Sequence, residues 1–187
     1  MTCIVGVEHK GTVWLGGDSA ATGSDGSQML IADSKVFVNG AVAFGICGSP
    51  KILDPLKLTK FTKQKRTQDL REFIAKSLIP EIKSAFKEAG CIVQHPEHGE
   101  LFEGSILFGT NGKLFRMECN FQIIADAHMF DSIGSGANIA IGSLHATTKD
   151  TNPNRRILTA LKASSIANAG VRPPFKVVNV KKGKFNK

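Results

Sequence analysis

Residues 2–22 read TCIVGVEHKGTVWLGGDSAAT, and the fold turns on how they pair. Apolar residues alternate at the start: Cys3, Val5 and Val7 fall on one side of an extended chain, Ile4 and Gly6 on the other. His9-Lys10-Gly11 is polar and ends in glycine, the chemistry of a tight turn. A second apolar run at residues 12–15 follows, and Gly16-Gly17-Asp18-Ser19 ends it. The stretch is expected to be a β-hairpin whose first strand begins at residue 2.

Working outward, Ser24-Asp25-Gly26-Ser27 reads as a loop. Residues 35–38 and 41–46 form a second hairpin through Asn39-Gly40, since both turn residues tolerate positive φ. Gly48-Ser49-Pro50 then opens a helix over 52–58, with Ser49 as N-cap and Pro50 at the first helical position. A polar, basic linker (59–67) leads to a long helix over 70–86, where Leu70, Phe73, Ile74, Leu78, Ile82 and Phe86 fall at helical spacing. Pro80 should kink it or loosen one turn, and Gly90 can end it. Residues 95–99 read as a surface loop, 105–108 and 114–118 as strands, and 121–124 as a third. Helices over 138–147 and 153–169 and a strand over 175–180 complete the chain, with a frayed basic tail at 181–187. The order is four strands, two helices, two or three strands, two helices, one strand. This is an α+β pattern in one domain (1–187): two antiparallel sheets packed together, with helices outside them.

Composition excludes several classes. A chain of 187 residues with 42% hydrophobic content suits one soluble domain. No apolar run reaches membrane-spanning length and no signal-peptide pattern opens the chain, so a cytoplasmic protein without membrane association is expected. The net charge of +8 invites a nucleic-acid reading. The cations gather instead at residues 57–66 and at Lys181, Lys182, Lys184 and Lys187, with one Trp and no Tyr, as solvated basic ends without specific nucleic-acid binding. The four cysteines match no metal or redox spacing and read as buried free thiols. His95 and His98 lack a second ligand pair, and no Gly-rich phosphate loop follows a strand.

Thr2 is the residue with chemistry to explain. Removal of Met1 would leave a free α-amine of pKa about 8 beside a hydroxyl, a usable general base next to a nucleophile. Four segments then act as a set: Thr2-Cys-Ile-Val-Gly-Val, Val13-Trp-Leu-Gly-Gly-Asp-Ser-Ala-Ala-Thr22, Asp33-Ser-Lys-Val-Phe37 and Val42-Ala-Phe-Gly-Ile-Cys-Gly-Ser49. Together they resemble the start of proteasome β subunits and the bacterial ring peptidase HslV. Asp131-Ser-Ile-Gly-Ser-Gly136, Ala140-Ile-Gly-Ser-Leu144 and Gly170-Val-Arg-Pro-Pro-Phe175 continue the resemblance over nearly the whole chain.

The resemblance implies a four-layer α-β-β-α sandwich, the N-terminal-nucleophile (Ntn) hydrolase fold. It implies Thr2 as nucleophile, Lys35 and Asp18 tuning its hydroxyl, Gly48 N–H in the oxyanion hole and Ser135 as accessory serine. It also implies a peptide or protein substrate, no cofactor, a homo-oligomeric ring or double ring, and an ATP-dependent unfoldase as possible partner. Lys35 fits only with a one-residue insertion before it and a deletion after it. The family's aspartate near the end of its penultimate helix has no counterpart in Ala163-Ser-Ser-Ile-Ala-Asn-Ala169, where Ser164, Ser165 and Asn168 are the polar candidates. An inactive structural subunit and an Ntn hydrolase of a small amide stand as alternatives.

Overall fold

The structure is a computed structural model describing residues 1–23 and 25–183. The opening hairpin is formed by β1 (Ile4–His9) and β2 (Thr12–Gly17), with Ile4 opposite Gly17 and His9 opposite Thr12. β12 (Phe130–Ile133) pairs with the outer side of β1, and β13 (Lys176–Lys181) with that of β2. The result is a four-stranded sheet ordered β12-β1-β2-β13. A second, five-stranded sheet is ordered β11-β10-β9-β6-β5. Its strands are β5 (Val36–Asn39), β6 (Val42–Gly48), β9 (Gly104–Thr110), β10 (Lys113–Met117) and β11 (Ile123–Ile124). Every pairing in both sheets is antiparallel.

Alternation along β1 decides the layering. Ile4 faces the space between the sheets, where it is buried with Val13, Leu15, Ala43, Leu107 and Leu114. Cys3, Val5 and Val7 face the other way, onto α4 (Ala137–Ala146) and α5 (Pro153–Ala167), and meet Ala140, Leu144, Ile157 and Leu161. The second sheet is covered by α1 (Leu53–Leu58), α2 (Leu70–Phe73) and α3 (Ile79–Glu88), with Phe44, Ile46, Ile106 and Phe108 against Leu56, Phe73, Ile82 and Phe86. The architecture is therefore a four-layer α-β-β-α sandwich with three apolar layers between its shells.

The helix over Pro80 behaves as its sequence requires. A π-helical turn, Ile74–Leu78, joins α2 to α3 just before the proline, which has no N–H to donate and crowds the preceding turn. Gly90 ends α3 at φ 65°. The Cys91 N–H reaches Phe86 O (2.8 Å) and the Gly90 N–H reaches Lys87 O (3.1 Å), a Schellman cap. Ser49 caps the 3₁₀ turn Pro50–Ile52 ahead of α1, and Asn152 caps α5 by accepting the Arg155 N–H (3.0 Å).

The structure adds short strands that the sequence pattern did not announce and trims one. Two of them, β3 (Ala20–Thr22) and β4 (Gln28–Leu30), pair on either side of the expected loop. The exposed loop expected at 95–99 is the tip of a hairpin between two more, β7 (Ile92–His95) and β8 (Gly99–Phe102). Of residues 121–124 only Ile123–Ile124 joins the sheet, because Phe121 turns away at φ 65°. β12 was unexpected altogether. Its polar residues Asp131 and Ser132 are buried but satisfied: Arg116 pairs with Asp131, and Ser132 Oγ donates to Ile4 O (2.7 Å). The tail expected at 181–187 falls partly on β13, and its residues from Lys184 onward lie outside the described residues. Among the described residues no helix is long and apolar enough to cross a membrane.

Candidate active site

The hairpin register brings the first site residues together. Because Ile4 lies opposite Gly17, residue 3 lies opposite residue 18, and the Asp18 N–H donates to Cys3 O (3.3 Å). The Asp18 side chain is fully buried and returns the contact: Oδ1 accepts the Cys3 N–H (2.9 Å) and Oδ2 the Ala20 N–H (2.9 Å). A buried carboxylate with two backbone donors is held in one orientation. Its remaining partner is Lys35 Nζ, at 2.9 Å from Oδ1.

Lys35 arrives from the other sheet. It immediately precedes β5, and its carbonyl accepts the Ile46 N–H of β6 (3.0 Å). Its side chain is 9% exposed and runs inward to the start of β1, where Nζ lies 2.9 Å from Thr2 Oγ1. The hydroxyl of Thr2, the ammonium of Lys35 and the carboxylate of Asp18 thus form a continuous buried line.

Gly48 closes β6 at φ 102°, a left-handed conformation. A Cβ there would collide with Gly104 Cα and stand 2.6 Å from Glu103 O. Glycine is required here by the backbone of the neighbouring strand. Gly48→Ala is therefore expected to destabilise the protein by about 1–3 kcal/mol. Urea denaturation measures this, and an unchanged midpoint would contradict the strained geometry.

The segment before α4 wraps the Thr2 backbone. Thr2 N donates to Ser135 Oγ (3.2 Å), Ser135 Oγ donates to Thr2 O (3.3 Å), and the Gly136 N–H also reaches Thr2 O (3.2 Å). Gly134, at φ 95°, lies so close to Thr2 O that a side chain has no room. Of the three polar candidates at the end of α5, Asn168 and Ser164 are bonded to this segment, and Asn168 is the one that reaches Ser135. Its Nδ2 donates to Ser135 O (3.0 Å), and its Oδ1 accepts the Gly170 N–H (3.0 Å). Ser164 is buried and donates to Gly136 O (3.0 Å), whereas Ser165 turns outward to Lys162 O.

Met1 sits across the site. Its carbonyl accepts from Thr2 Oγ1 (2.7 Å) and from Lys35 Nζ (3.4 Å), and its side chain packs where a Cβ on Gly170 would be. Beside Thr2 opens a cavity of about 160 Å³, walled by Ala20, Ile31, Ile46 and Leu53 and reaching Lys35 and Gly48. The Thr22 hydroxyl, which also lines it, is buried with no partner among the described residues. Sequence reading missed Thr22, and no pattern would have found it. Cys47 lines the same cavity, and burial pushes its thiol above the ordinary value. Cys3 and Cys91 are buried as expected, Cys47 is half-buried, and Cys119 is exposed in the turn after β10, contrary to its sequence reading. Among the described residues no group of His, Cys, Asp and Glu is placed to hold a metal ion.

No family model matches the sequence, and no curated protein matches it. Solved structures do match its shape. Thiobacillus denitrificans BPH in complex with epoxomicin superposes with a TM-score of 0.76 at 16% identity, over 98% of this chain and 100% of that one. Eukaryotic HslV from Trypanosoma brucei gives 0.67 at 17% identity, over 96% and 99%. A Gly-1 mutant of Anbu from Hyphomicrobium sp. strain MC1 gives 0.67 at 14% identity, over 97% and 82%. The chain has the fold of HslV and its proteasome-like relatives, the Ntn-hydrolase sandwich.

Proposed function

We propose that this Ntn-fold chain is an amide hydrolase that cleaves peptide bonds with Thr2 as an N-terminal nucleophile, once Met1 has been removed. The observation that carries the reading is the buried line from Thr2 Oγ1 through Lys35 Nζ to Asp18, at 2.9 Å for each step, beside an open cavity. In the processed chain the freed α-amine accepts the Thr2 hydroxyl proton as Oγ1 attacks the substrate carbonyl. The Lys35 ammonium favours the developing alkoxide, and Asp18 holds that ammonium in place. The Gly48 N–H stabilises the oxyanion. The C–N bond then breaks, and the proton on the α-amine passes to the leaving amine. Water attacks the resulting ester and gives a proton to the α-amine; the acyl C–Oγ1 bond then breaks, Oγ1 takes that proton back, and the acid leaves. Ser135 positions the α-amine, and Asn168 positions Ser135.

With Met1 in place, Thr2 N is an amide and cannot act as base. Intact-mass measurement of protein made in its own host is expected to show a chain beginning at Thr2. A fully retained methionine would favour the second reading, an inactive proteasome-like subunit. The seat that Met1 occupies against Gly170 and the absence of a carboxylate in residues 163–169 support that reading.

We further propose a cytoplasmic homo-oligomer, a ring or double ring enclosing the cavities, which an ATP-dependent unfoldase would supply. Residues 139–144 are apolar nearly all round in sequence, yet they are largely used internally: Ala140 and Leu144 are buried, and Ile141 packs on the core. Met29 and Leu30 on β4 and Ile166 on α5 are instead 65%, 61% and 88% exposed. Light scattering is expected to show a multiple of the 20.0 kDa chain. A monomer would remove the ring and favour a small-amide substrate.

A further inference from the structure

The basic run at residues 57–66 and the basic end after β13 are not used by the site around Thr2, yet they meet in space. A second cavity, of about 310 Å³, lies between them. Val42 lines it at the start of β6 and Gly48 lines the Thr2 cavity at its end, so the two are separated by the length of that strand, about 20 Å. Its apolar wall is made by Val42, Phe61 and Phe73. Val42 and Phe73 belong to the core, and Phe61 packs against Phe44 with the rings tilted, at 5.5 Å between centroids.

Its polar side is directional. Gln68 O can only accept, so Gln64 Nε2 donates to it (2.8 Å). Gln64 Oε1 therefore accepts from Asn111 Nδ2 (3.1 Å), which leaves Asn111 Oδ1 as an acceptor with no donor among the described residues. Two lysines complete the lining, Lys63 from the linker and Lys181 from the end of β13. Neither has an ion-pair partner among the described residues, and the sequence holds no Asp or Glu between residues 55 and 68 or after residue 150. Glu81 accepts the Thr62 N–H of the linker (2.9 Å).

We infer that this cavity is a docking site for an acidic peptide segment of a partner protein, one that inserts an apolar side chain between Phe61 and Phe73 while its carboxylates meet Lys63 and Lys181. Two features select a peptide. The apolar wall calls for a side chain without charge. The unpaired ammonium groups call for carboxylates close by in sequence. Nucleic acid satisfies the cations but fits the wall poorly: a base would stack on an open aromatic face, and the Phe61 ring is already engaged with Phe44. The inference does not depend on hydrolysis at Thr2.

A randomised peptide library panned in parallel on the wild-type chain and on a Lys63→Glu/Lys181→Glu variant tests it. The variant changes exposed side chains only, and circular dichroism verifies its fold. Wild type is expected to enrich sequences with an apolar residue beside two or more acidic ones, and the variant is not. The best such peptide, labelled with fluorescein, should bind at least about tenfold more weakly to the variant and to Ala41→Trp, which crowds the cavity mouth from an exposed position, and equally well to Thr2→Ala. The inference is overturned by enrichment that is equal on both proteins, by a basic or purely apolar consensus, by no enrichment, or by a uridine homopolymer that displaces the peptide and binds more tightly.

Discussion

Asp18→Ala is expected to cost the protein most of its stability. The carboxylate is fully buried and answers three donors: Lys35 Nζ and the N–H groups of Cys3 and Ala20, each at 2.9 Å. Removing it leaves a buried ammonium without a counter-charge, a loss of about 3–5 kcal/mol. Two backbone donors also lose their acceptor, at about 1–3 kcal/mol each when they stay dry. Set against a typical total of about 5–15 kcal/mol, the change is large enough to unfold much of the population at ordinary temperature. Asp18→Asn keeps one acceptor oxygen and should lose less. Pairing it with Lys35→Met removes the stranded charge and should recover much of the stability, while hydrolysis stays absent. Urea midpoints of the single and double variants check this. Additive losses in the double variant would mean that the Lys35–Asp18 pair is not the buried unit described above.

Thr2→Ala should act in the opposite way, with the fold intact and the chemistry gone. The variant gives up one hydrogen bond from Lys35, about 1 kcal/mol of stability. Hydrolysis of a fluorogenic peptide should fall by about 10³-fold or more, because no other group supplies the attacking oxygen. Thr2→Ser keeps the hydroxyl and should keep measurable turnover. Activity in Thr2→Ala comparable to the parent would remove Thr2 from the mechanism.

How much of this was legible depended on the kind of signal. β1 and β2 were readable because alternation with a period of two both predicts a strand and sorts Cys3, Val5 and Val7 from Ile4. The loosened turn before Pro80 was readable because a missing N–H has a local consequence. β12 was not, since Phe130-Asp-Ser-Ile carries two polar residues whose burial makes sense only beside Arg116 and Ile4 O, which are distant in sequence. β3, β4, β7 and β8 are too short, and all but two of their residues, Ala20 and Phe102, too far out of the core, to impose a hydrophobic pattern. At the site, Thr2, Asp18, Gly48 and Ser135 were named from a resemblance in spacing, and the hairpin register explains why Asp18 falls beside residue 3. Lys35 was the position most exposed to misalignment, and only the crossing from the second sheet brings its Nζ to Thr2. Asn168 was one of three equivalent candidates in one dimension, and its bond to Ser135 O separates it from Ser164 and Ser165. The reason Gly48 must be glycine came entirely from its contact with the Glu103–Gly104 backbone.

The most direct measurement is mass spectrometry of the N-terminal peptide from protein quenched in acid during turnover of a slowly hydrolysed peptide ester. The expected result is a chain that begins at Thr2 and carries the substrate's acyl group on the Thr2 hydroxyl, with the acylated fraction lost in Thr2→Ala. Hydrolysis that proceeds at full rate on a chain still bearing Met1, with no acyl group on Thr2, would contradict the proposed mechanism at its first step.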